Sequence, residues 1–174
     1  MPVQVQAPTA VGGAAVSNHT LWITAAEYEK GKAFLRMSSL AAEQGKTEAF
    51  DYVSLHLLCQ GIEIYLKALL LRKDFDRYWP RLRQLGHNLT EIARETAAAY
   101  GRKPPSGRVA EELAALARGY GLHQFRYAGP TDIFGAPESI ERRNVKRYLV
   151  ALVTGVERSL VAQVAGRAAN KKGA

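Results

Sequence analysis

Between Asp51 and Lys73 the chain is almost wholly apolar, and the polar residues that interrupt its middle, His56, Gln60, Glu63 and Lys67, recur at intervals of 4, 3 and 4. On a helix that spacing lays the four side chains in a single stripe. A helix whose polar face is so narrow must be surrounded by other elements. The pattern therefore predicts a central helix over about Thr47 to Lys73, with its stripe facing a groove, a partner subunit or a strip of solvent. Glu63 and Lys67 stand in the favoured Glu-before-Lys i,i+4 order. The same polar residues break the run as a membrane-spanning segment, so no membrane association is expected.

The 174-residue length suits one domain and permits a core without disulfides. Residues 1–18, rich in Ala, Val, Gly, Pro and Gln without periodicity, read as a flexible tail, as do residues 168–174, leaving residues 19–167 as the domain. Thr24-Ala25-Ala26-Glu27 has the form of a capping box, predicting a first helix from Thr24 to about Glu43. Residues 74–87 read as a basic, aromatic connector. Asn88-Leu89-Thr90-Glu91 predicts a helix to about Tyr100, and Gly101 to Gly107 a break. A further helix is expected from Arg108 to Arg118, then a glycine-rich loop over 119–136. The last helix should begin near Pro137, with Val145, Tyr148, Leu149, Leu152 and Val156 on one side. No strand alternation stands out. The expectation is an all-α, up-and-down bundle of four to five helices.

The lone cysteine, Cys59, lies in an apolar run and reads as a buried thiol. The N-terminus lacks the basic start and apolar core of a secretory signal, so a cytoplasmic location is expected. The net charge of +8 is uneven. Residues 71–110 hold nine Lys/Arg against four Asp/Glu, and residues 128–174 hold eight against four. Such a balance suits a polyanionic partner such as RNA or a nucleotide, and equally serves solubility. The four histidines show no metal-ligand spacing, and neither a metal nor a cofactor is implied.

Several segments together resemble one family. Gly61-Ile62-Glu63-Ile64-Tyr65-Leu66-Lys67-Ala68-Leu69-Leu70, followed by Gly86-His87-Asn88-Leu89-Thr90-Glu91-Ile92, is similar to the Glu…Leu-Lys-Ala helix and Gly-His-Asp/Asn-Leu turn of the HEPN superfamily. Phe125-Arg126-Tyr127-Ala128-Gly129-Pro130 resembles the Arg-Tyr-Pro segment of one of its branches. The resemblance covers roughly residues 24–165. It implies a helical bundle that dimerises, and functions around RNA and nucleotides, in some members within toxin–antitoxin or phage-defence systems. The catalytic branch pairs Arg with a His that follows after four to six intervening residues. There His serves as acid or base towards the ribose 2′-hydroxyl and leaving oxygen, while Arg steadies the phosphate. No histidine follows Arg143-Asn144-Val145-Lys146-Arg147-Tyr148, the segment most like the family's Arg-Asn opening. Arg118-Gly119-Tyr120-Gly121-Leu122-His123 matches the spacing formally. The expectation is a homodimer that binds RNA or nucleotides. The alternatives are a non-enzymatic module for a cognate protein partner and a metal-independent endoribonuclease using Arg118 and His123.

Other candidates carry two readings each. Arg126 and Tyr127 can grip a phosphate and stack a base, or lock their loop to the bundle through an acid such as Glu63. Arg142, Arg143, Lys146 and Arg147 crowd a helix start, where cations oppose the macrodipole. That local cost points to an anionic ligand or acidic partner, or else the four form a solvated face. Arg77, Arg81 and Arg83, interleaved with Tyr78 and Trp79, suit single-stranded RNA, or the aromatics plug the end of the bundle. His87, just before a capping residue, can bond the backbone at the helix start or bind a ligand.

Overall fold

A computed structural model of the chain describes residues 18–44, 48–125 and 141–172. Among them are six helices and no strand: α1 (Asn18–Gln44), α2 (Glu48–Lys73), α3 (Phe75–Leu85), α4 (Leu89–Ala99), α5 (Arg108–Gly121) and α6 (Arg143–Lys172). The chain is an all-α helical bundle. Of the expected tails over 1–18 and 168–174, residues 1–17 and 173–174 lie outside the described residues, as does the expected helix start at Pro137, while Asn18 belongs to α1. Helix α6 runs through Lys172, into residues read from the sequence as a terminal tail.

Helix α2 is central, with α1, α3, α4 and α5 all packed on it. Leu58, Cys59, Ile62, Leu66, Leu69 and Leu70 form the middle of one continuous core, which Leu89, Ile92, Leu113, Leu116, Val145 and Val156 complete from α4, α5 and α6. The Asp51–Lys73 stretch is in fact long and apolar enough to cross a membrane, despite its polar stripe. However, 67% of its apolar window is buried inside the protein, the pattern of a core helix.

Helices α1 and α2 run antiparallel at unusually close range. A Cβ on Gly31 would come within 2.7 Å of the Tyr65 backbone, and one on Gly61 within 2.8 Å of Leu35. Only glycine allows that approach. Next to it, Ser38 and Ser54 exchange hydrogen bonds, each hydroxyl donating to the other's carbonyl oxygen at 2.9 and 3.0 Å. Both serines are fully buried, and the exchange leaves neither hydroxyl without a partner.

Two expected elements differ. Thr24 is not a cap: α1 begins at Asn18, and the Thr24 hydroxyl donates one turn back to the Thr20 carbonyl at 2.8 Å. The stretch read as a connector, 74–87, is mostly helix α3. Asp74 caps it by accepting from the Arg77 amide, and Tyr78 and Leu85 are buried beneath it. Pro80 sits inside this helix, and proline normally argues against one there. The 3, 4, 3 spacing of Phe75, Tyr78, Leu82 and Leu85 is the signal that outweighs it.

Candidate functional site

Asn88 does cap α4, its side chain accepting from the Glu91 amide at 3.1 Å. The Asn88 amide, however, donates to Leu85 and closes the turn Leu85-Gly86-His87-Asn88. Gly86, at φ 50°, makes that turn possible. It brings His87 over the polar stripe of α2.

The stripe is answered from within the chain. Lys67 Nζ donates to Glu63 Oε1 at 2.7 Å and to the Gly86 carbonyl at 2.6 Å. His87 Nδ1 lies 2.9 Å from Glu63 Oε2, and the Tyr120 hydroxyl donates to the same oxygen at 2.9 Å. The rings of His87 and His56 both lie 5.8 Å from that of Tyr120, the former edge-on. The stripe thus faces the α3–α4 turn and the end of α5, whereas a ligand groove, a partner or solvent was expected. The His87 ring, read as a bond to the helix-start backbone, instead meets a buried carboxylate.

Burial pushes the Glu63 pKa up. The hydrogen bonds from Lys67, His87 and Tyr120, with the Lys67 charge, outweigh it and hold the carboxyl below its usual range. An ionised carboxylate only accepts, so His87 donates to it from Nδ1. The His87 side chain is 67% exposed against 9% for Glu63. A buried carboxylate thus orients an exposed imidazole, an arrangement that can accept or deliver a proton or anchor an anion. One turn before Glu63, Cys59 is buried, and burial raises its thiol pKa to about 12, which removes it as a nucleophile.

Arg118 and His123 belong to the segment that carries Tyr120. Helix α5 extends past the expected end at Arg118 to Gly121, so Gly119 and Gly121 are helical rather than part of a loop. Gly119 is required because Phe125 folds back on it: a Cβ there would meet the phenyl ring at 2.3 Å. The His123 amide donates to the Tyr120 carbonyl and the Gln124 amide to the Gly119 carbonyl. This is a Schellman ending, with His123 at φ 58° where glycine usually stands. Arg118 and His123 are both exposed.

Comparison with protein-family models, curated proteins and solved structures returns no match.

The remaining candidates separate. Arg126 and Tyr127 lie outside the described residues. Arg142 is bound to Asp51 at 2.6 Å. Lys146 is half-buried, and burial, then the Arg142 charge, lowers its pKa. Arg143 and Arg147 are exposed. Gln60 is half-buried within the stripe. Glu112, buried on α5, caps the start of α6: its carboxylate accepts from the Val145 amide at 2.9 Å and from the Asn144 side chain. Sequence reasoning passed over Glu112 and Tyr120, whose partners lie 32 to 57 residues away. The local signal for Tyr120 was an aromatic residue four after Leu116, on the buried face of α5.

Proposed function

We propose that this is a cytoplasmic, HEPN-like helical protein that works as a homodimer and binds RNA or a nucleotide at the surface around His87, Arg118 and His123. One observation carries the reading. Glu63 ties together the Glu…Lys-Ala helix, the Gly-His-Asn turn and, through Tyr120, the Arg118…His123 segment. Two of the stretches that suggested the family, and the one that formally matches its catalytic spacing, therefore meet at one carboxylate. Exposed Arg118, Arg143 and Arg147 supply positive charge for phosphates.

The test is RNA affinity at two salt concentrations, with cleavage followed under chelator for the wild type and His123→Ala. Phosphate contacts predict a steep loss of affinity with salt. Absent or salt-independent binding would sink the reading. Cleavage abolished by His123→Ala would identify a metal-independent endoribonuclease using Arg118 and His123, whereas binding without cleavage is the expected result.

A second reading, an interaction module such as an antitoxin-like or scaffold subunit, is favoured by the outer face of α1. Trp22 is 75% exposed, and Met37 and Leu40 share its face of the helix with their side chains half in solvent. Light scattering on wild type and Trp22→Glu distinguishes a self-association face, which the change disrupts, from one used by another protein.

A further inference from the structure

Helix α3 divides its aromatic residues. Tyr78 is buried and closes the end of the bundle, so it performs the plugging role. Trp79, the next residue, is 51% exposed and performs none of it. Its indole stacks on Phe75 with ring centroids 5.1 Å apart and planes 13° from parallel. The stack covers one face of the indole and leaves the other open at the surface. A cleft of about 510 Å³ runs beside it, lined by Trp79, Pro80, Leu82 and Arg83.

The charges sort in the same way. Arg81 is engaged, pairing with Glu95 and with Gln84. Arg83 is exposed one turn beyond Trp79 in the same cleft, and among the described residues no ion pair engages it or Arg77. One helical turn, about 5.4 Å, is the reach from a nucleobase to its own phosphate. Asp74, occupied in capping the helix, and Asp76 are the opposing charges at its start.

We infer that α3 is a stacking platform for single-stranded RNA, with Trp79 taking a base and Arg83 the adjoining phosphate. The inference rests on the RNA-binding reading above and locates a contact separate from the Glu63 cluster. An exposed indole beside an unpaired guanidinium recognises a base and a phosphate together, and it tolerates any sequence because every base has a π-face. Positive charge against a polyanion, rather than apolar area, selects this occupant over a protein helix.

The probe is a labelled 2′-O-methyl uridine 12-mer, which binds as RNA but lacks the hydroxyl that cleavage needs. Trp79→Ala should weaken binding about tenfold without changing the salt slope, and Trp79→Phe should restore most of it. Arg83→Ala should lower the salt slope by about one. In a Trp22→Phe background, the oligonucleotide should quench the remaining Trp79 emission. If Trp79→Ala binds like the wild type, or the emission does not change, the platform is overturned while RNA binding itself stands. If the wild type fails to bind at low salt, both fall.

Discussion

The carboxylate of Glu63 holds the imidazole of His87, 24 residues further along the chain, at 2.9 Å, and the same group accepts from Lys67 and Tyr120. Four residues from three parts of the sequence therefore share one buried negative charge. The histidine is oriented by the core but presented to solvent. The arrangement ties the fold together and leaves an imidazole in solvent, so what each contact contributes can be separated only by changing the partners one at a time.

Glu63 should give the protein a distinctive acid dependence. Its folded pKa lies below the ordinary carboxylate value of about 4.3. A group depressed on folding contributes stability that is fully present above the unfolded pKa and is lost as pH falls through the folded one. Glu63→Gln should cost about 2 kcal/mol near pH 7, and the gap from wild type should close below about pH 4.3. Urea unfolding across pH 7 to 3 measures this. A gap that stays constant with pH would show that the Glu63 charge does not stabilise the fold.

The glycines of α5 should respond in opposite ways. Gly119→Ala drives a Cβ into Phe125 and should cost about 1–3 kcal/mol. Gly121→Ala meets nothing within 4 Å and should be neutral or gain up to about 1 kcal/mol from helix propensity. Gly31→Ala and Gly61→Ala should exceed the Gly119 change, because Tyr65 and Leu35 oppose them with backbone as well as side chain. Thermal unfolding of the four variants ranks them. Equal effects at 119 and 121 would contradict the Phe125 packing.

His123 stands at φ 58° in a position that glycine fills more cheaply. His123→Gly should therefore raise stability by about 0.5–1 kcal/mol while weakening RNA binding. A stabilised variant that binds RNA as well as the wild type would leave His123 with only its place in the helix ending.

The central helix was legible because its pattern is local. Val53 to Leu71 is apolar around one stripe, and the period alone places that stripe on one face. What the stripe meets was not legible. Glu63 needs Tyr120 and His87, whose approach is set by where α5 ends and how Gly86 turns, and no spacing within α2 records that. Helix α3 was hidden by Pro80 and its dense charges, which mask an inner row of four apolar residues. Thr24-Ala25-Ala26-Glu27 misled because a capping box and the interior of a longer helix contain the same residues. The cations at the start of α6 pointed to an anionic ligand, an acidic partner or a solvated face; that Asp51 of α2 pairs with Arg142 and that Glu112 of α5 caps the helix are long-range contacts no spacing within α6 records.

Glu112 should matter most at the start of α6. The Glu112 carboxylate accepts from the Val145 amide and the Asn144 side chain, so it satisfies one open backbone donor of α6 from a neighbouring helix and places negative charge at the positive end of its dipole. Glu112→Ala removes both effects and should destabilise the protein by about 2 kcal/mol. Glu112→Gln keeps an accepting oxygen but not the charge and should fall between. The loss should be local as well as global. Val145 is buried against the core, and its amide should exchange with solvent markedly faster in Glu112→Ala than in the wild type, while the Leu66 and Leu69 amides in α2 change only by the global difference. Uniform acceleration across both helices would mean that Glu112 supports the fold generally rather than capping α6.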